Sequence, residues 1–190
     1  MNLFFSGQRR TEQALLKRAA TGDPNASKEV ISLLNLPAYS LAFRMLGNKE
    51  DAQDVVQEAF IRLWKSADSF SGKSKLFTYF YAIVSNLCLD QLKSSRNGMF
   101  EEFNELVHCR SEDVLLGFSG GITAEEIKKA MNVLSSKQRM AILMWAYQDL
   151  TAEQVGVAMG MNKNSADQLL FRAKLKLKSE LKKGDVDEIQ

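Results

Sequence analysis

The chain has 190 residues, of which 45% are hydrophobic and 25% are charged, and its formal net charge is +2. This length suffices for one ordinary domain or two small ones, and the apolar content excludes wholesale disorder. Charge is unevenly distributed: residues 123–183 hold eleven Lys and Arg against six Asp and Glu, whereas residues 97–121 hold one Arg against five acids. The sequence therefore predicts a basic C-terminal block and an acidic connector.

The composition also argues against catalysis and membrane insertion. A single histidine, no glycine-rich phosphate loop and no metal-ligand spacing predict no catalytic residues, no metal and no cofactor. Of the two cysteines, Cys88 lies in an apolar helical pattern typical of a core, and Cys109 follows a lone His108. Because no run reaches the ~18 apolar residues of a membrane span, we expect a cytoplasmic protein without membrane insertion.

Apolar residues recur with a period near 3.6 along most of the chain, which predicts an all-α fold. Helices are expected at about 11–22, 26–46 with a bend at Pro37, 50–67, 76–93, 124–134, 136–147, 151–159 and 163–182. Residues 97–122 lose this periodicity, as in a flexible linker. The prediction is two small helical domains, residues 1–96 and 123–183, joined by that acidic linker and followed by a frayed tail at 184–190.

The segment KEDAQDVVQEAFIRLWKSA has two distinct faces when it is wound as a helix. A regular core stripe is formed by Ala52, Val55, Val56, Ala59, Phe60, Leu63, Trp64 and Ala67. Another face carries Asp54, Gln57, Glu58 and Ile61. An outward isoleucine beside two carboxylates is typical of an apolar anchor in a polar rim, which suits a basic helical partner. A solvated face with one stray apolar residue is the alternative.

The segment SFSGKSKLFTYFYAIVSNLCLDQLK crowds four aromatic residues into little more than one helical turn: Phe77, Tyr79, Phe80 and Tyr81. One face cannot bury them all, so some are expected at the surface. Lysines lie nearby, and aromatic rings with basic neighbours can stack unpaired bases. A thick core with one exposed tyrosine explains the pattern equally well.

The segment DLTAEQVGVAMGMNKNSADQLLFRAK, residues 149–174, has the pattern of a helix–turn–helix. Thr151 and Gln154 have the spacing of a capping box, and Gly160 can supply a left-handed turn residue. The second helix buries a predicted stripe of Ala166, Leu170, Ala173 and Leu177. Its polar residues face elsewhere, so its N-terminal end could enter the ~12 Å major groove of DNA. A plain helical hairpin with a solvated lysine face is the alternative.

These three segments, in this order, resemble a bacterial RNA polymerase sigma factor of the extracytoplasmic-function group, and the resemblance covers nearly the whole chain. FRMLGNKEDAQDVVQEAFIRLWKSADSFSG resembles the region that binds core polymerase. KLFTYFYAIVSNLCLDQLKS resembles the region that recognises and melts the −10 promoter element. LSSKQRMAILMWAYQDLTAEQVGVAMGMNKNSADQLLFRAKLKLKSEL resembles the domain that binds the −35 element.

The resemblance implies a specificity subunit of RNA polymerase rather than an enzyme. It implies core-polymerase contacts, with the β′ clamp helices, at Asp54, Gln57, Glu58 and Ile61. It implies −10 contacts at Lys73, Ser74, Lys75, Thr78, Tyr79 and Asn86, where the SFSGKSK loop captures a flipped base. It implies −35 contacts at Lys163, Asn164, Ser165, Asp167, Gln168, Phe171, Arg172 and Lys174. Its further implied partners are the polymerase β flap and an anti-sigma factor, and the linker would run through the RNA channel.

Some positions depart from the family pattern. The family usually has Trp at the position of Tyr79 and Arg at the positions of Ala82 and Ser85. Its recognition helix is usually more basic at the positions of Asp167 and Leu169. A stand-alone helix–turn–helix regulator is the first alternative function, but it leaves the Ile61 face without a role. An enzyme and a helical adaptor that never touches nucleic acid are weaker alternatives.

Overall fold

The computed structural model describes residues 3–94 and 124–187, with side chains for 11–94 and 126–181. Every regular element in these ranges is an α-helix, and there are eight. The N-terminal domain holds α1 (Leu3–Ala20), α2 (Pro24–Leu46), α3 (Lys49–Lys65) and α4 (Leu76–Ser94). The C-terminal domain holds α5 (Ala124–Asn132), α6 (Ser136–Tyr147), α7 (Ala152–Ala158) and α8 (Lys163–Asp187). The all-α prediction is therefore confirmed, while the predicted linker, His108 and Cys109 lie outside the described residues.

Short-range capping fixes where α2 and α3 begin and where α2 ends. The Asp23 carboxylate accepts from the first backbone N–H groups of α2, and the Asn48 side chain accepts from the Asp51 N–H at the start of α3. Between these two helices Gly47 adopts a left-handed φ of 78°, which suits a glycine without Cβ. The α2–α3 hairpin is thus encoded by residues close to it in sequence.

Two predicted boundaries differ from the structure. The first helix begins at Leu3 rather than near residue 11. The last helix continues to Asp187, so residues 184–187 are helical rather than part of a frayed tail. Leu181, 8% exposed, extends the buried stripe beyond Leu177, and docking of that turn outweighs the weak helix propensity of the following glycine. Pro37 lies within one continuous α2.

The helix–turn–helix forms by the capping chemistry that the sequence predicts. Thr151 and Gln154 make the reciprocal bonds of a capping box at the start of α7. Gly160 has a φ of 65°, and Asn162 Oδ1 accepts from the Ser165 N–H at the start of α8. The predicted stripe of α8 is buried along its whole length: Ala166 0%, Leu170 4%, Ala173 0% and Leu177 6% exposed.

Gly156 in α7 permits a close approach that the sequence pattern does not signal. A Cβ at this position would lie 3.0 Å from the Met161 carbonyl oxygen and 3.3 Å from Ala166 Cβ. The Met161 N–H donates to the Gly156 carbonyl at 2.8 Å, so the turn is held against this residue by its own backbone. The glycine therefore sets how tightly α7 and α8 pack.

We expect Gly156→Ala to lower the free energy of unfolding by about 1 kcal/mol, because overpacking costs ~1–3 kcal/mol and alanine regains up to ~1 kcal/mol of helix propensity. Urea denaturation measures the change. The control is Gly160→Asn, at a position where Cβ meets open space and asparagine tolerates the left-handed φ. A Gly156→Ala chain more stable than the parent would show that the turn relaxes freely.

Candidate functional site

The first candidate surface is the outer face of α3, opposite its buried stripe. Asp54 and Gln57 are exposed, and Ile61 is 46% exposed. Glu58 is half-buried, and its carboxylate accepts from Arg62 Nε at 2.7 Å. This exposed pair adds only ~0.3–0.5 kcal/mol of stability. We call Asp54, Gln57, Glu58 and Ile61 the α3 ridge; it presents an apolar anchor between acidic groups.

The second candidate surface is the loop before α4 together with the start of that helix. Lys73, Lys75 and Asn86 are exposed, and Ser74 and Tyr79 are half-buried. Thr78, however, is only 2% exposed. It lies two helical turns before Ser85 and shares its face, which is turned toward the C-terminal domain. The structure thus presents five of the six predicted −10 residues at least partly to solvent and buries the sixth.

The aromatic residues of α4 pack mainly inside the protein. Phe80 and Tyr81 are each 1% exposed, while Phe77 and Tyr79 are half-buried. The Phe77 and Tyr81 rings meet edge to face, with their centroids 4.2 Å apart, and the centroids of the Tyr79 and Phe70 rings are 5.0 Å apart. This fits the thick-core interpretation better than a row of exposed aromatic rings, and it leaves Tyr79 partly accessible.

The third candidate surface is the exposed edge of α8. Most of the predicted −35 residues are exposed: Lys163, Asn164, Ser165, Asp167, Gln168, Phe171 (63%) and Arg172. Lys174 differs, because it is half-buried and its ammonium lies 3.4 Å from the centroid of the Trp145 ring. Burial lowers the pKa of Lys174. Its charge is therefore partly engaged within the C-terminal domain by a cation–π contact.

The two domains contact each other directly through α4 and α7. Ser85 Oγ, fully buried, donates to the Ala158 carbonyl at 3.2 Å. The Tyr81 hydroxyl donates to Gln148 Oε1 at 2.6 Å. Gln148 Nε2 in turn donates to the Pro37 carbonyl in α2 at 3.4 Å. Gln148 thereby joins the C-terminal domain to two helices of the N-terminal domain.

A cationic contact extends the same junction. The Arg44 guanidinium of α2 lies over the Tyr147 ring, 4.0 Å from its centroid, although Arg44 is only 6% exposed. We call Ser85, Tyr81, Gln148, Pro37, Arg44 and Tyr147, with the Ala158 carbonyl, the interdomain contact. The sequence pattern does not predict this contact: it marks Tyr81 only as one of four crowded aromatic residues and does not single out Arg44.

Three further features bear on what the chain can do. Cys88 lies in the core, as predicted, and burial raises the pKa of its thiol to about 12, so it is protonated at neutral pH and a poor nucleophile. Among the described side chains, no group of three or more His, Cys, Asp and Glu is placed to hold a metal ion. None of the helices in the described ranges is long and apolar enough to cross a bilayer.

Comparison with known proteins matches both domains. The family described as Sigma-70 region 2 matches residues 34–97, and Sigma-70, region 4 matches residues 124–177. A Bacillus subtilis protein named ECF RNA polymerase sigma factor SigW is 36% identical over 81 residues, 43% of each chain, so the aligned stretch spans less than half of that relative. The Escherichia coli ECF RNA polymerase sigma-E factor is 26% identical over 86% of this chain and 91% of its own.

Solved structures share the fold. The sigma factor RpoE from Bartonella quintana, crystallised with the anti-sigma factor NepR, superposes with a TM-score of 0.64 at 24% identity, over 82% of this chain and 96% of that one. The structure of CnrH with the cytosolic domain of CnrY gives 0.66 at 18% identity, over 90% of this chain and 97% of that one. The arrangement of helices is therefore shared at low sequence identity.

We expect Tyr81→Phe to lower the free energy of unfolding by ~1–2 kcal/mol, because it leaves Gln148 Oε1 without this donor in a largely buried junction. Chemical denaturation followed separately by tryptophan fluorescence and circular dichroism measures it. Tyr39→Phe, at a half-buried tyrosine of α2, is the control and should change stability by less. An unchanged stability in Tyr81→Phe would mean that water replaces the bond at no cost.

Proposed function

Because this chain belongs to the sigma-70 family, within the extracytoplasmic-function group of sigma factors, we propose that it binds core RNA polymerase and directs promoter-specific initiation of transcription. The observation that carries the proposal is the presence, in one chain, of an exposed acidic-apolar ridge on α3 and an exposed polar edge on α8. A stand-alone helix–turn–helix regulator would use only the second surface, and the region 2 match would have no role in it.

The α3 ridge suits a helical, basic surface on core polymerase, which the family resemblance identifies as the β′ clamp helices. Ile61 is the anchor: full burial of an isoleucine side chain contributes ~1.5–3 kcal/mol, and about half of Ile61 is still exposed. Asp54 and Glu58 would form the surrounding rim and steer association by charge. The β flap would bind the C-terminal domain.

The −10 element would be recognised by the loop before α4. Lys73 and Lys75 extend into solvent where they can approach phosphates, and Ser74 and Asn86 offer hydrogen bonds to bases. Tyr79 is half-buried, and the exposed part of its ring can contact one base. Thr78 is buried in this arrangement and could join them only after a rearrangement that exposes it.

The −35 element would be read by α8 in the major groove. Gln168 can pair with adenine, Asp167 can accept from cytosine and Arg172 can bind guanine or phosphate; all three are exposed near the N-terminal end of the helix. Lys163, Asn164 and Ser165 lie at that end, where backbone N–H groups favour phosphate contact. Lys174 would have to move away from the Trp145 ring before its ammonium could contact DNA.

Simultaneous binding of both promoter elements requires the domains to separate. Elements centred near −35 and −10 lie about 25 base pairs apart, or about 85 Å along B-DNA at 3.4 Å per pair. A compact chain of this length has a radius of gyration of about 16 Å and a diameter of about 42 Å. The arrangement with the interdomain contact formed would therefore be the free state, and the 97–122 linker would span the two domains in the complex.

The remaining partners and properties follow from this function. Polymerase would form the phosphodiester bonds, so the chain would need no catalytic residue or cofactor of its own, and it would act in the cytoplasm where its promoters are. One similar structure is a complex of the sigma factor RpoE with the anti-sigma factor NepR, and the other is a complex of CnrH with the cytosolic domain of CnrY. We propose that an anti-sigma factor likewise holds this chain inactive until it is released.

We expect Ile61→Glu to weaken binding to core polymerase by about tenfold or more, because it removes the apolar anchor and adds charge between two carboxylates. Fluorescence titration of labelled chain with core enzyme measures it. Ile31→Glu makes the same change at a site 43% exposed on α2, outside the ridge, and should leave the affinity nearly unchanged. If Ile61→Glu and the parent bind core polymerase with equal affinity, the α3 ridge is not part of that interface.

We expect Arg172→Ala to lower transcription from a promoter selected by the parent holoenzyme. If Arg172 reads a base, the loss is ~1–3 kcal/mol at the −35 element and discrimination at one base pair relaxes. If it contacts phosphate alone, binding weakens equally on all sequences and the salt slope falls by about one contact. The control is Lys178→Ala, farther along the same helix. No effect on either quantity would place α8 outside the groove.

A further inference from the structure

Helix α1 holds both ends of the loop between α3 and α4. Gln13 Nε2 donates to the Phe70 carbonyl at 2.8 Å, where the loop begins. The Leu76 N–H donates to Glu12 Oε2 at 2.9 Å, where the loop ends and α4 starts. Two adjacent residues of α1 therefore fix the entry and the exit of the five-residue segment 71–75.

Glu12 accepts a hydrogen bond at the start of α4 and so caps that helix, which the residue just before the helix cannot do. The residue before Leu76 is Lys75, whose ammonium donates hydrogen bonds and accepts none. The first N–H groups of a helix need acceptors, and a carboxylate there is also favoured by the helix dipole. Glu12, which is 64 residues away in sequence, takes this role. The start of α4 is thus positioned by α1.

The core makes this support rigid. Leu16 is fully buried and lies three and four residues after Gln13 and Glu12, on the same face of α1. Phe70 is 2% exposed and packs against Tyr79. The loop is therefore attached at one end to a buried ring and at both ends to a helix that is itself anchored in the core.

The dipole of α4 favours an acid at this place, but attraction of DNA does not. In the proposed function the loop carries Lys73 and Lys75 to a polyanion, and a nearby carboxylate weakens that attraction. Glu12 lies before the region 2 match, which begins at residue 34. The contribution of Glu12 and Gln13 is therefore their hydrogen bonds to the loop backbone rather than charge directed at DNA.

We propose that Glu12 and Gln13 are positioning residues that set the geometry of loop 71–75 for capture of a single-stranded base of the −10 element. This inference rests on the proposed function. The two side chains act through the loop backbone, at the Phe70 carbonyl and the Leu76 N–H, and do not themselves touch DNA. Their loss should affect the choice of base more than the binding of polymerase.

The test uses the full chain with core polymerase and a promoter selected by the parent holoenzyme. The discrimination ratio is the transcript yield on that promoter divided by the yield on promoters with single-base changes in the −10 element. Glu12→Ala and Gln13→Ala should each lower this ratio about two- to tenfold, as expected for one lost hydrogen bond. Glu12→Gln should keep the ratio near that of the parent, because its amide oxygen can still accept from the Leu76 N–H.

Controls separate positioning from charge, folding and polymerase binding. Glu29→Ala removes an exposed carboxylate from α2 and should leave the ratio unchanged. Core affinity, measured by titration, should stay within about twofold for all variants. The positioning role is overturned if the ratio is unchanged in both alanine variants, if Glu12→Gln behaves like Glu12→Ala, or if yields fall equally on every promoter. A parent chain that does not bind core polymerase would instead overturn the proposed function.

Discussion

Burial of one stripe on each amphipathic helix is the constraint on which both candidate interfaces depend. In α3 the buried side runs through Ala52, Val56 and Leu63, so the 3.6-residue period turns Ile61 outward. In α8 the buried side includes Ala166 and Ala173, so the polar edge around Gln168 faces solvent. Each buried valine or leucine side chain contributes ~1.5–3 kcal/mol, whereas the exposed Glu58–Arg62 pair contributes well below 1 kcal/mol. Packing of the core therefore sets how α3 and α8 are rotated about their axes, and this rotation determines which side chains are exposed.

The hydrogen bonds of the interdomain contact are weak enough to be replaced when a partner binds. Its hydrogen bonds, from Tyr81 to Gln148 and from Ser85 to the Ala158 carbonyl, each contribute ~0.5–1.5 kcal/mol net. Binding to a large partner supplies more than that, with ~12 kcal/mol corresponding to nanomolar affinity. Partner binding can thus exchange these bonds for new ones. The free chain, meanwhile, has no buried polar group left unpaired at Tyr81 or Ser85.

Local chemistry could be predicted from the sequence, and contacts between distant residues could not. The capping box at Thr151 and Gln154 and the left-handed Gly160 depend on residues within a few positions of each other, and the structure bears both out. Gly156 was missed because only the approach of Met161 and Ala166 makes its missing Cβ necessary. The burial of Thr78 was missed because it depends on which neighbouring helices pack against α4.

The sequence by itself determined the all-α fold, the buried stripes of α3 and α8, the exposed Ile61 and the resemblance to the family, because helical periodicity and capping are short-range properties. Only the tertiary structure decided that Glu12 caps α4 across 64 residues, that Tyr81 bonds to Gln148 across 67, and that Lys174 rests on Trp145. Those pairings follow from how complete helices pack against one another. No pattern along a single helix specifies which distant side chain its neighbour will present.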